Sequence, residues 1–273
     1  MISLPIPTLT GVILRGGNQR ENVMFSVLYV DDEEALLDIG KLFLERDGDC
    51  SVDVALSAHQ GLEQLEKQTY DAIVSDYQMP GMDGIEFLKK IRAASAIPFI
   101  LFTGKGREEV VIEAINRGAD FYLQKGGDPK SQFVELKHKI AQAVKRRRAE
   151  YELKKSETKY RQLVDLLPQT VFEVDQNLTI TSINPVALKT FGYTRDDLEK
   201  GVCVFDVFSR DDHPRLTDNI KKILHGETTG ALEYTAKRKD GSTFPVLTYS
   251  VPIMQENVPL GLRGVLVDIT ERK

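Results

Sequence analysis

The chain has 273 residues, 41% of them hydrophobic and 28% charged, with a formal net charge of −5. Its length suits two domains of ordinary size, and the balance is that of a soluble globular protein. No apolar run approaches the ~18 residues of a membrane span, and the negative net charge gives no basis for nucleic acid as a direct partner or for attraction to a membrane.

Residues 1–23 contain two prolines and a Gly-Gly pair, but no basic leader or small-residue cleavage site. A dispensable, disordered extension is expected there, with Met24 as the biological start. From residue 25 to about 144 strand and helix signals alternate. The strand candidates are "FSVLYVD", "SVDVALS", "DAIVSD", "PFILFT" and "FYLQK". Three of them are nearly continuous apolar runs, as expected of parallel strands covered on both faces. Between them lie helices with one apolar stripe, such as Leu36, Ile39, Phe43 and Leu44, or Val110, Val111, Ala114 and Ile115 before a C-capping Gly118. This predicts a doubly wound α/β domain with a five-stranded parallel sheet.

A long helix is predicted from Phe133 to about Val164, a stretch free of glycine and proline. Its segment "KRRRAEYELKKSETKY" is polar on most faces, and Lys145 to Arg148 read best as a solvated linker face. After Pro168 the pattern becomes α+β. "TVFEVD" and "LTITSIN" flank a turn at Gln176-Asn177, and several short helices precede "ALEYTAKRK", "TFPVLTYSVP" and "GLRGVLVDIT". Asp240-Gly241 is a strong two-residue hairpin signal. An antiparallel sheet of five strands is expected.

In an open parallel sheet the active crevice lies beyond the carboxyl ends of the strands. The polar residues at those ends are Asp31, Asp32, Asp76, Thr103 and Lys125. Singly each has a plain reading: Asp32 as a helix N-cap, Thr103 as a strand end, Lys125 as a surface charge. Together they place three carboxylates, a hydroxyl and an ammonium at one sheet edge. Carboxylates about 4 Å apart repel by roughly 4 kcal/mol per pair at an effective dielectric near 20, so a cation belongs among them. All-oxygen ligation suits Mg²⁺ or Mn²⁺. Such a site fits a carboxylate, Asp76, that accepts a phosphoryl group while Lys125 and Thr103 hold its oxygens.

The words "YVDD", "SDYQMPGMDG", "FTGKG" and "YLQKG" resemble the receiver domain of two-component response regulators. The resemblance covers residues 25 to about 142, with intervals of 44, 27 and 22 residues along Asp32, Asp76, Thr103 and Lys125. It implies a CheY-like, flavodoxin-like fold and phosphorylation of Asp76 by a sensor histidine kinase or a phosphotransfer protein. Asp32, Asp76 and the backbone carbonyl of Gln78 would bind the metal, with Asp31 acting through water. Thr103 and Tyr122 would form a switch pair, and the small Gly104 would leave the phosphoryl group accessible. One departure is Gly126, where the family usually has a proline in a cis peptide.

Residues 156–273 resemble a PAS domain with its PAC part, through "YRQLVDLLPQTVFEVD", "NPVALKTFGYTRDDL", "KRKDGSTFPV" and "VLVDITERK". Such a domain senses a ligand, redox state or light, or mediates pairing. Cys203 lies 11 residues after Gly192, near the place of the adduct cysteine in flavin-binding relatives, but "GVCVFDVF" lacks the polar residues that grip flavin. A small buried hydrophobe is its plain reading. His213 and His225 flank a helix as exposed turn residues, which argues against haem; His138 reads as a surface residue. An apolar pocket of unknown occupant is therefore expected. Two distant cysteines, Cys50 and Cys203, fit a reducing cytoplasm.

The expected organisation is an extension at 1–23, a receiver at 24–144, a helical linker at 145–157 and a PAS/PAC domain at 158–273. The expected function is phosphorelay signalling, with no enzyme turnover beyond possible autodephosphorylation. The chain is expected to form a homodimer. The alternative is a ligand-binding PAS sensor whose receiver only docks partners.

Overall fold

The computed structural model describes residues 24–104, 108–227 and 229–272. The expected extension at 1–23 lies outside the described residues. The chain forms two compact units that divide between Leu153 and Lys154.

The first unit contains five strands, β1 (Phe25–Val30), β2 (Cys50–Ala55), β3 (Ala72–Ser75), β4 (Phe99–Thr103) and β5 (Phe121–Gln124). They form a parallel sheet in the order β2-β1-β3-β4-β5. Helices α1 (Glu34–Glu45), α2 (Ala58–Lys67), α3 (Gly84–Ala94) and α4 (Glu108–Asn116) connect successive strands, and α5 (Pro129–Leu166) follows β5. The apolar runs are continuous because both sheet faces are covered. On one face Leu28 and Val30 pack with Leu65, Phe87, Leu88 and Ala114. On the other, Val27 and Tyr29 pack with Leu37, Leu44, Phe133 and Ile140.

The helix faces differ from the expected stripes. In α1 the buried residues are Leu37, Gly40 and Leu44, and Ile39 is exposed. The cause is the Tyr29 ring, which fills the space over Gly40 and sets which face meets the sheet. In α4 Val110 and Ala114 are buried while Ile115 is exposed.

The basic cluster on α5 is exposed at Lys145, Arg146 and Arg147, as expected, and two of its members also form ion pairs. Arg148 Nη2 lies 2.8 Å from Asp71 Oδ1, and Asp71 Oδ2 accepts the Ser26 amide at 2.9 Å. Arg146 pairs with Asp120, which also receives Arg92 at 3.0 Å and the Phe99 amide at 2.9 Å. Thus α5 is tied by side chains to the amino ends of β3 and β5 beyond its last buried apolar residue, Val144.

The second unit has an antiparallel sheet of β6 (Thr170–Asp175), β7 (Ile180–Ile183), β8 (Leu232–Lys237), β9 (Thr243–Gln255) and β10 (Val258–Asp268). Its order is β7-β6-β10-β9-β8. Helices α6 (Pro185–Phe191), α7 (Arg195–Glu199) and α8 (His213–Leu224) fall between β7 and β8. Phe191, Leu216, Ile220 and Ile223 pack with Val174, Tyr234, Val246 and Leu266 of the sheet. The Asp240-Gly241 hairpin forms, with Gly241 at φ +88°. The β9–β10 strands are longer than expected because a second tight turn, Glu256-Asn257, joins them with φ of +49° and +65°.

Candidate functional site

Strands β1 and β3 are neighbours, while β2 lies on the far side of β1, so the chain reverses its winding direction there. That reversal opens a crevice at the carboxyl ends of the two strands. Asp31 follows β1 and Asp76 follows β3, both buried. Lys125, one residue past β5, reaches across to both. Its Nζ lies 2.6 Å from Asp31 Oδ2 and 2.7 Å from Asp76 Oδ1. The Lys125 amide also donates to the Thr103 carbonyl at 2.7 Å, which fixes the start of the loop.

Asp76 is held by the turn behind it. The Gln78 amide donates to Asp76 Oδ2 at 2.6 Å, and the Asp76 amide donates to the Val30 carbonyl at 2.8 Å. Gly84 explains one glycine of that turn. A Cβ there would stand 2.3 Å from the Asp76 carbonyl oxygen, so only glycine lets α3 begin so close to the strand end. Asp83 N-caps α3 through a 2.8 Å contact from the Glu86 amide.

The electrostatics are those of one cation between two buried anions. Burial raises the Asp76 carboxyl above its ordinary value, despite Lys125, and the charge of Asp31 adds to the rise. Burial works against the Lys125 ammonium, but hydrogen bonds to Asp31 and Asp76 outweigh it and hold Lys125 above the ordinary lysine value. Thr103 is buried at the end of β4. The Tyr122 hydroxyl is buried without a hydrogen-bond partner among the described residues, and burial raises its phenol.

Asp32 is exposed and is not the helix cap: Glu33 occupies the N-cap position of α1. Gln78 is exposed beside Asp76. Asp31, Asp76 and Lys125 are therefore in contact, and Asp32 stands next to them in the chain. As they stand, the described residues bring together no group of three side chains able to grip a cation. The donor chemistry nonetheless fits a hard divalent ion, since carboxylates and a carbonyl are its preferred ligands. Gly126 has φ +146°, which a proline ring could not adopt, so the loop after Lys125 takes a path of its own.

Residues 27–137 match the family model described as response regulator receiver domain, and residues 168–271 match the PAS domain model. The chain joins a receiver domain to a PAS domain. The receiver region is 32% identical over 117 residues to the transcriptional regulatory protein ResD of Bacillus subtilis (strain 168), covering 43% of this chain and 48% of that protein. It is 34% identical over 107 residues to the response regulator Rre1 of Synechocystis, covering 38% and 46%. The chain spans about half the length of the curated relatives it matches. Among solved structures, a CheY-like receiver domain protein from Methanospirillum hungatei JF-1 aligns with a TM-score of 0.41 at 31% identity, covering 45% of this chain and 98% of that one.

Sequence reasoning overlooked Tyr29 of the receiver. Its hydroxyl reaches Asp31 Oδ2 at 3.4 Å, and burial together with the charge of Asp31 holds the phenol far above its ordinary value. Within "SVLYVDD" it reads only as one more apolar strand residue.

In the PAS domain a cavity of about 40 Å³ lies between the sheet and α6, lined by Phe172, Val174, Phe191, Tyr193, Val204 and Leu266 among others. Cys203 is half-buried and outside that lining. His225 is exposed as expected, but His213 is half-buried. The His213 Nε2 lies 3.0 Å from the Phe205 carbonyl and 3.3 Å from that of Phe208, so it fastens the turn before α8. His138 is exposed.

Proposed function

We propose that this protein is a two-component signalling protein whose receiver accepts a phosphoryl group on Asp76 and couples that event to the PAS domain. The observation that carries the reading is the contact of Lys125 with both Asp31 and Asp76 at the sheet's switch point. The donor is a phosphohistidine of a sensor kinase or phosphotransfer protein. An Asp76 carboxylate oxygen attacks phosphorus, the O–P bond forms as the P–N bond breaks, and the imidazole leaves with its electron pair. Lys125 then has phosphoryl oxygens to pair with, and Thr103 offers a hydroxyl from the neighbouring strand.

Asp32, Asp76 and the Gln78 carbonyl are the proposed ligands of Mg²⁺, with Asp31 acting through water. When bound, the ion neutralises charge on the phosphoryl oxygens. Tyr122, whose hydroxyl is turned into the fold, is the proposed partner of Thr103 in the switch. Gly104 is exposed and adds no side chain over the site, so water can return Asp76 to the free carboxylate by hydrolysis. The receiver, its helical linker and the PAS domain correspond to residues 24–144, 145–157 and 158–273 in this reading.

The test is labelling by acetyl phosphate in Mg²⁺. Asp76→Asn abolishes incorporation if Asp76 is the acceptor; undiminished labelling of that variant overturns the assignment. Asp32→Ala should raise the Mg²⁺ concentration needed for half-labelling, since it removes a ligand oxygen.

A further inference from the structure

Tyr29 has no part in the chemistry above, yet its hydroxyl lies at the acidic edge. The side chain is fully buried in the middle of β1, on the face covered by α1 and α5. A Cβ on Gly40 would sit 2.4 Å from Tyr29 Cε1, so α1 carries a glycine where the ring passes beneath it. Glycine inside a helix costs about 1 kcal/mol relative to alanine. The ring accounts for that glycine, and a phenylalanine would fill the same space. The hydroxyl needs a separate explanation.

Asp31 supplies it. This carboxylate is fully buried, and a buried charge left without partners is strongly unfavourable. Its Oδ1 accepts the Glu33 amide at 3.1 Å. Its Oδ2 receives Lys125 Nζ at 2.6 Å and faces the Tyr29 hydroxyl at 3.4 Å. Two donors thus converge on one oxygen, with Lys125 the nearer. Lys125 also holds Asp76 at 2.7 Å, so its position depends on what Asp76 carries.

A phosphoryl group on Asp76 adds oxygens that compete for Lys125. Resting on the phosphoacceptor reading above, we infer that Tyr29 is a positioning residue for the phosphorylated receiver: its hydroxyl takes over Asp31 Oδ2 when Lys125 turns to the phosphoryl oxygens. In the resting protein Lys125 satisfies Asp31 and the hydroxyl is nearly redundant. In the phosphorylated protein it is the side-chain donor that keeps Asp31 oriented towards the metal.

The experiment compares the full chain with its Tyr29→Phe and Asp76→Asn variants by thermal unfolding and by beryllofluoride titration in saturating Mg²⁺. Tyr29→Phe should melt like the native chain without ligand, yet bind beryllofluoride about tenfold more weakly, the loss of one hydrogen bond to a charged group. Its acetyl phosphate label should also decay faster. Unchanged beryllofluoride affinity, or an equal loss of stability with and without the ligand, would overturn the inference, because the hydroxyl would then serve the fold alone. Asp76→Asn separates the two readings. If that variant binds beryllofluoride as the native chain does, the phosphoacceptor assignment fails, whatever Tyr29→Phe does.

Discussion

Asp76 sits in surroundings that oppose its charge. Burial raises its carboxyl, and the Lys125 contacts do not fully offset the effect. Between the ordinary value of 3.8 and the raised folded value, the folded chain holds a proton that the unfolded chain has released. Stability therefore falls as pH rises through that window, and the ionised carboxylate remains a liability above it. Lys125 has the opposite sense of contribution: its raised value adds stability that is complete below the ordinary lysine pKa and lost as pH rises through the folded one. Asp76→Asn removes one of two anions and leaves Lys125 paired with Asp31 alone. In EDTA at neutral pH that variant should melt a few degrees above the native chain. The difference should shrink as pH falls through the window and vanish below it. Thermal scans of both chains across pH 3 to 8 would check this; a variant that melts lower at neutral pH would show that the Lys125 contact outweighs burial.

At the scale of elements, Asn184 is the most heavily used junction in the PAS domain. Its Oδ1 accepts the Val171 amide of β6 and the Ala187 amide of α6, both at 3.1 Å. Its Nδ2 donates to the Gln169 carbonyl at 2.9 Å and to the Val164 carbonyl of α5 at 3.3 Å. Asn184→Ala takes this partner from the Val171 amide and the Gln169 carbonyl, while the Ala187 amide keeps the Asn184 carbonyl and the Val164 carbonyl keeps the Leu167 amide. A loss of about 2 kcal/mol follows if the first two cannot reach water. In calorimetry of the full chain the PAS transition should fall, while the one raised by Mg²⁺ and beryllofluoride stays in place. A variant with both transitions unmoved would mean that water replaces the amide. Asn184 is visible in the sequence only as the residue before Pro185, whereas other features are plainer. Two-sided burial writes β1, β3 and β4 as nearly continuous apolar runs; Asp31 and Asp76 stand out because charges end two of those runs, and Lys125 because it follows β5. The face of α1 is not legible, because the choice of Leu37 over Ile39 depends on the Tyr29 ring from another element. The pairing of Arg146 and Arg148 is hidden for a similar reason: Asp120 and Asp71 are distant in sequence. The turn at Glu256-Asn257 escapes notice because its positive φ values are taken by residues other than glycine.

At the scale of the whole molecule, the division between the two units falls inside a single helix, α5. Its receiver portion is anchored by Phe133, Leu136 and Ile140 in the core and by Arg148 on Asp71. Further along, Leu153, Tyr160 and Leu163 are exposed at 63%, 56% and 56%. Their spacing of seven and then three residues is that of a coiled-coil seam, and a second copy of the chain is the partner such a seam suits. We therefore expect phosphorylation and dimerisation to favour each other. Linkage requires the effect to be reciprocal, with a coupling of ~1–3 kcal/mol, or roughly 5- to 150-fold in the dimer constant. Beryllofluoride with Mg²⁺ should strengthen self-association by a factor in that range, measured by sedimentation at several concentrations. A Gly-Gly-Pro insertion after Ala149 interrupts the helix at a cost of about 3 kcal/mol or more and separates the anchored turns from the seam. The inserted chain should still bind beryllofluoride but lose the gain in dimerisation. If it keeps the full gain, the coupling does not run through α5. If the native chain has the same dimer constant with and without the mimic, α5 acts only as a spacer between the two domains.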